Sequence, residues 1–320
     1  MTSTPRRRAV LALGGNAITR AGEAGAVEQD YRNLRRSLEA VMRLLELGYQ
    51  LVLTHGNGPQ IGNQMIRVEC ARGEAPDLPL DIMVADLQGG LGYMIERVLR
   101  EKMRRRGLVP RICCMLTMVR VDPDDPSMQR PTKFVGPMLD RTEAERRAAA
   151  DGWIVAEDAG RGWRRVVPSP RPVGIVQRQE ILTLLEAGCV VISGGGGGIP
   201  IVRSAEGDVR GVEGVVDKDR SSAIIATAIG APDLFILTAV PEVLRDFGSS
   251  RAAPIRRMGV AEARRLLEEG QFPAGSMGPK IEAACGFLED GGGRVVVTDE
   301  KCFEAALRGE AGTTIVAVDG

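Results

Sequence analysis

Histidine is almost missing from this chain of 320 residues, with His55 the only one. Histidine-rich zinc sites are therefore excluded, and any histidine-based catalytic triad would have to be built on that single side chain. Lysine is also scarce, standing only at 102, 133, 218, 280 and 301. Net charge is absent: 42 Lys and Arg balance 42 Asp and Glu, which leaves no field to draw nucleic acid or an anionic membrane to a whole face. The basic runs Arg6-Arg7-Arg8 and Arg104-Arg105-Arg106 read as solvated charge. No apolar run approaches a membrane span, and Ala9 to Leu13, before Gly14-Gly15, is too short for a signal-peptide core. The six cysteines, 70, 113, 114, 189, 285 and 302, form no CxxC pair, and most lie inside apolar stretches. They read as buried free thiols in a reducing cytoplasm, and no residue is assigned as a metal ligand.

What is present is a repeated strand, glycine turn and helix. Ala9 to Leu13 runs into Gly14-Gly15-Asn16, and Leu51 to Thr54 runs into His55-Gly56-Asn57-Gly58. A helix over about 27–47 separates them, with Leu34, Leu38, Val41, Leu44 and Leu45 at three- and four-residue spacing. A long helix over roughly 81–106 leads to a strand from Ile112 to Val119. Residues 122–174 then turn rich in Pro, Asp and Arg. Trp153, Ile154, Trp163 and Val166-Val167 give this stretch apolar material, which argues for a folded insertion over a flexible linker. The second half repeats the order: a strand from Cys189 to Ile192 enters Gly194 to Gly198, a helix opens near Asp217, and the strand Leu234 to Leu237 follows. Helices near 260–268 and 279–289 and strands at 294–297 and 314–318 complete the chain. The expected fold is α/β, a three-layer sandwich with a central, mainly parallel sheet and helices on both faces.

Three glycine turns at the ends of apolar strands would lie along one sheet edge, where open α/β sheets bind ligands. Glycine lets backbone N–H groups approach phosphate oxygens, and the helix that follows points its positive end at them. The P-loop pattern G-x-x-x-x-G-K-[ST] is nowhere present, and the dinucleotide pattern fails because Ile199 takes a required glycine position. Three of the scarce lysines sit in distinctive settings. Lys218 lies in Val216-Asp217-Lys218-Asp219, Lys280 follows Gly275-Ser276-Met277-Gly278-Pro279, and Lys133 lies in Pro131-Thr132-Lys133. Positioned ammonium groups beside glycine-loop amides are what stabilisation of a phosphoryl-transfer state needs. Asp219 could hold these lysines, or it could serve its helix terminus. His55 reads as a hydrogen-bonding loop residue rather than a general base.

These motifs, together with His55 to Gln60, Pro79-Leu80-Asp81, Gln88-Gly89, Gly162-Trp163-Arg164-Arg165 and Gly275-Ser276-Met277, resemble the carbamate kinases of the amino acid kinase superfamily. The resemblance implies one kinase domain over 1–320 with a small protruding subdomain at about 122–174. It also implies a cytoplasmic homodimer using Mg2+ with ATP or ADP and working in arginine metabolism. Phosphoryl would pass between ATP and carbamate, giving ADP and carbamoyl phosphate, with ATP formation the direction of use. By the same resemblance Lys133, Lys218, Lys280 and Asp219 would be catalytic. Gly14, Gly15, Asn16, Gly56, Asn57 and Gly58 would line the carbamate and phosphate site, and Gly195, Gly196, Lys218, Met277 and Lys280 would meet the nucleotide.

Two stretches depart from the family pattern. Met83-Val84-Ala85-Asp86-Leu87-Gln88-Gly89 carries a carboxylate where the family often has Cys-Gly-Ala-Met-Ser-Gln-Gly, and Leu244 stands where a tyrosine often precedes the nucleotide-base segment. The alternatives are a related kinase acting on another small carboxylate, or an anion-binding module that no longer turns over.

Overall fold

The apolar runs become strands buried on both faces, because their alternate side chains point to opposite helix layers. Val10, Ala12, Val52, Val191, Leu234 and Ile236 enter one core, while Leu11, Leu13, Leu51, Leu53 and Phe235 enter the other. The computed structural model describes residues 7–20, 22–158, 160–273 and 275–318. Its central sheet has eight strands in the order Arg257–Gly259, Thr313–Val316, Arg294–Thr298, Asp233–Leu237, Arg8–Leu13, Gln50–His55, Val190–Ile192, Ile112–Cys114. Every pairing is parallel except that of Thr313–Val316 with Arg294–Thr298. The expected layered α/β fold is therefore present.

Several details differ from expectation. The helix over 27–47 is two helices, Val27–Ser37 and Glu39–Glu46, meeting at Leu38. The strand read as Ile112 to Val119 is also two. Ile112–Cys114 closes the central sheet, and Met118–Val121 joins a second sheet between Ile199–Arg203 and Pro172–Ile175. Nothing in the sequence of the run marks the crossing, because it is apolar on both sides and carries no Gly or Pro.

Within the 122–174 stretch, Lys133–Leu139, Trp163–Val167 and Val155–Glu157 form an antiparallel sheet of three strands. Val135 and Val167 pack on Ile61, Met65, Leu80 and Met83 from the Gly58–Cys70 and Leu80–Arg105 helices. Pro172–Ile175 pairs instead with Met118–Val121.

The arginine runs lie at the surface as expected, with Arg7 and Arg104 to Arg106 exposed, and several of them also make specific bonds. Arg7 binds the fully buried Asp233, which Arg294 also holds at 2.7 Å and Tyr49 at 3.1 Å. Arg8 donates to the Ile229 carbonyl at 2.8 Å, and Arg106 pairs with Glu39 and Glu46. Arg6 lies outside the described residues. All six cysteines are free thiols, but only Cys285 is fully buried and Cys70 is exposed on its helix. Among the described residues no helix is long and apolar enough to cross a membrane.

Candidate active site

The three glycine turns do meet at one edge, because the strands that feed them are neighbours in the sheet. Their approach leaves no room for side chains at Gly14 and Gly56. A Cβ on Gly14 would stand 2.8 Å from the Leu237 carbonyl oxygen, and one on Gly56 would stand 3.0 Å from the Gly15 nitrogen. Gly15 opens a short 3-10 turn, Gly15–Ala17; the side chain of Asn16 lies outside the described residues. Gly58 begins the helix Gly58–Cys70, with Asn57 as the residue before it.

The glycine run at 194–198 is held from two sides. Gly197 has φ +91°, and a Cβ there would lie 2.0 Å from the Val216 carbonyl oxygen, so the loop runs against the entry to the Lys218–Ala228 helix. Ser221 of that helix donates to the Gly197 carbonyl at 2.6 Å. Gln88 clamps the other side: its Nε2 donates to the Gly195 and Thr117 carbonyls at 3.1 and 3.2 Å, and its Oε1 accepts from the Thr117 amide at 2.8 Å. Thr117 Oγ1 in turn accepts from the Gly194 amide at 3.0 Å. Sequence reading quoted Gln88 only as part of a motif and overlooked Thr117. A lone glutamine in a helix gives no sign of three backbone partners.

Asp217, not Asp219, caps the Lys218 helix, accepting from the Asp219 amide at 2.9 Å and the Arg220 amide at 3.4 Å. The side chain of Asp219 is thereby left for other work. It is buried, and each oxygen meets one ammonium: Lys218 binds Oδ1 and Lys280 binds Oδ2 at 2.9 Å. Burial opposes ionisation of Asp219, yet the two lysines outweigh it and hold the carboxyl below its ordinary range. Burial pushes the Lys218 ammonium down, with Asp219 opposing that shift and Lys280 adding to it. Lys133, the first residue of its strand, brings Nζ to 3.8 Å from Asp217 Oδ2, so the antiparallel sheet within 122–174 reaches the same helix entry.

His55 is buried beneath this edge with Nδ1 3.1 Å from the Gly56 carbonyl oxygen. Burial dominates its titration and lowers it to about 4, with Lys218 adding to the shift, so the ring is neutral at pH 7. Gly195 passes so close that a Cβ would sit 2.5 Å from His55 Nε2, and a Cβ on Gly196 would sit 2.2 Å from Asn57 Nδ2. Asn57 is buried, its side chain caps no helix, and its Nδ2 has no hydrogen-bond partner.

Beside the lysines opens a cavity of about 340 Å³ walled by Leu244, Phe247, Phe272, Met277 and Lys280. That volume falls within the ~300–1,000 Å³ usual for small-molecule sites. Met277 and Lys280, both expected at a nucleotide, share this wall. Gly195 and Gly196 do not line it and lie instead against His55 and Asn57. Of the two departures from the family pattern, Leu244 is in the cavity wall beside Phe247, and Asp86 is exposed on the Leu80–Arg105 helix.

Residues 7–299 match the model of the amino acid kinase family. The chain is 42% identical to the carbamate kinase of Pyrococcus furiosus over 313 residues, covering 97% of this chain and 99% of that protein. It is 43% identical over 310 residues to the carbamate kinase-like protein YahI of Escherichia coli, covering 96% and 98%. The carbamate kinase of Giardia lamblia bound to AMP-PNP superposes with a TM-score of 0.92 at 35% identity, over 98% of this chain and 99% of that one. The chain belongs to the amino acid kinase family, among the carbamate kinases.

Proposed function

We propose that this chain transfers phosphoryl reversibly between ATP and carbamate, forming ADP and carbamoyl phosphate. The observation that carries the reading is the pair of ammonium groups that share the buried Asp219 at the glycine edge. One carboxylate between two ammonium groups leaves positive charge in surplus, which suits the negative charge spread over a phosphoryl group in flight. Lys218 and Lys280 would neutralise the phosphates, and Asp219 would fix their positions. The backbone amides of Gly15 and Gly58 would cradle the transferring group, while Gly14 and Gly56, whose amides are donated to the Leu237 and Leu13 carbonyls, would line the site by their bare Cα atoms, together with Asn16. Asn57, whose buried Nδ2 lacks an acceptor, would donate to an oxygen of the small substrate. The nucleoside would lie against Met277 and Phe247, with Gly195 and Gly196 supporting the phosphates.

Lys133 would close over the site from its lobe, the folded part of 122–174, and exclude water from a hydrolysable acyl phosphate. Mg2+ belongs to the reading as a companion of the nucleotide. It holds phosphate oxygens and water in such sites and neutralises their charge. Among the described residues no cluster of three or more His, Cys, Asp or Glu is placed to hold a metal. The same reading implies a cytoplasmic homodimer serving arginine metabolism in the ATP-forming direction.

A coupled assay of ATP formed from ADP and carbamoyl phosphate tests this. ATP formation with carbamoyl phosphate supports the proposal. Silence there with turnover of another acyl phosphate supports a related kinase, a reading favoured by the carbamate kinase-like relative at 43% identity.

A further inference from the structure

A second cavity, of about 180 Å³, lies between the Lys218–Ala228 and Met277–Glu289 helices and shares no wall residue with the nucleotide cavity. Three guanidinium groups line it, those of Arg171, Arg220 and Arg264, with the carboxylates Glu282 and Asp290. Arg264 is already held by both oxygens of Glu289, at 3.0 and 2.6 Å, so the donors left open are those of Arg171 and Arg220. Arg171 and Arg220 divide the oxygens of the single Glu282, the second at 2.6 Å. Arg220 Nε is buried with no acceptor at all. A buried donor without a partner is destabilising, and a planar guanidinium fork is shaped for the oxygens of a carboxylate or phosphate. Ile224 and Phe287 supply an apolar floor.

We infer that this cavity binds a small oxyanion, a carboxylate or phosphate group on a body of a few carbon atoms. The volume decides the size of the ligand: it lies below the ~300 Å³ at which drug-sized sites begin, so a nucleotide is too large. The place of the site gives the ligand an effect. Arg220 directly follows Asp219, and Glu282 lies two residues beyond Lys280. The Arg220 to Glu282 bond thus ties together the two helices whose first turns carry the lysines that share Asp219. An anion that draws Arg220 away from Glu282 changes that tie, and turnover changes with it.

Calorimetric titration of the full chain with butyrate and with inorganic phosphate tests the site. The proteins are wild type, Arg171→Gln, Arg220→Gln and Lys218→Ala. Arg171 is largely exposed, so its replacement leaves the fold intact and keeps the test open if Arg220→Gln fails to fold. Expected is millimolar binding that survives in Lys218→Ala and weakens at least about tenfold in Arg171→Gln, the loss expected of one charge-assisted bond. Butyrate alone behaving this way assigns a carboxylate ligand, and phosphate alone a phosphate ligand. Binding that vanishes in Lys218→Ala, binding indifferent to both arginine variants, or no heat from either probe overturns the proposal. The readout needs no turnover, so it stands or fails apart from the phosphoryl-transfer reading.

Discussion

Lys280 donates to Asp219 Oδ2 at 2.9 Å while Lys218 holds Oδ1, so one buried carboxylate joins the opening turns of two helices. Removing three charges from water is tolerated only when each is paired. Here the pairing has a remainder: two cations share one anion, and the cluster stays positive. An arrangement built for stability alone would have no need of the second ammonium.

Asp219→Asn should therefore harm catalysis in a recognisable way. Turnover is expected to fall by roughly 10²–10³, the loss typical of one preorganised electrostatic group. The pH profile should move as well. Asp219 supports the Lys218 ammonium against burial, so without it Lys218 loses its proton more readily and the alkaline limb shifts to lower pH. A turnover-against-pH series on both proteins checks the direction. An unmoved limb would show that Lys218 does not depend on Asp219 for its charge.

The sole histidine supplies a prediction about stability. His55 titrates near 6.5 when unfolded and about 4 when buried. Its contribution is thus fully present above about pH 6.5. As pH falls from there the unfolded chain takes up a proton that the folded ring refuses, and stability drains away until about pH 4. At ~1.4 kcal/mol per unit, the loss over that window is about 3 kcal/mol. Urea denaturation of wild type and His55→Gln between pH 7 and 4.5 should show a slope in the difference that only wild type carries. An imidazole NMR signal that titrates near 6.5 in the folded protein would contradict it.

Both the glycine edge and the lysines were legible in the sequence. Continuous apolar runs ending in glycine mark buried parallel strands, and scarce lysines in glycine and proline settings stood out against an arginine-rich background. Elements that change partner without a change of composition were not legible. Cys114 and Met118 belong to different sheets, yet the run between them carries no turn residue. Side-chain ties across the fold were equally hidden. The clamp of Gln88 on Thr117 and Gly195, and the capping of the Lys218 helix by Asp217 rather than Asp219, depend on distances between segments that sequence order does not express.

Two glycines of the edge should part company when changed to alanine. Gly197 has φ +91° and a backbone carbonyl 2.0 Å from any added Cβ, so Gly197→Ala is expected to cost about 2–3 kcal/mol or more. Gly58 has open space around its Cβ position and sits in a helix. Gly58→Ala should leave stability unchanged or raise it by up to ~1 kcal/mol, since alanine is the better helix former. If Gly58 also approaches a phosphate, the same substitution lowers turnover while melting temperature holds. Parallel melting curves and assays separate the need of the backbone from the need of the ligand.

The proposed homodimer can be argued from one face. Ile112–Cys114 is an edge strand of the central sheet, with Leu116, 52% exposed, just beyond it. The adjoining Leu80–Arg105 helix exposes Ile82 and Tyr93, at 44% and 62%. Eleven residues turn a helix by about three full circuits, so these two share a face, with Gly89, Gly90 and Asp86 between them. A second copy laid on this face would cover the unpaired edge and the apolar side chains. A twofold interface would also bring two copies of Asp86 out of water together, and like charges in one interface weaken it. Asp86→Met should then tighten the dimer about tenfold, a change of roughly 1.4 kcal/mol, and Tyr93→Arg should yield monomer. Sedimentation across a dilution series measures both. A wild-type chain that stays monomeric at every concentration, or a dimer indifferent to both substitutions, removes this face as the interface.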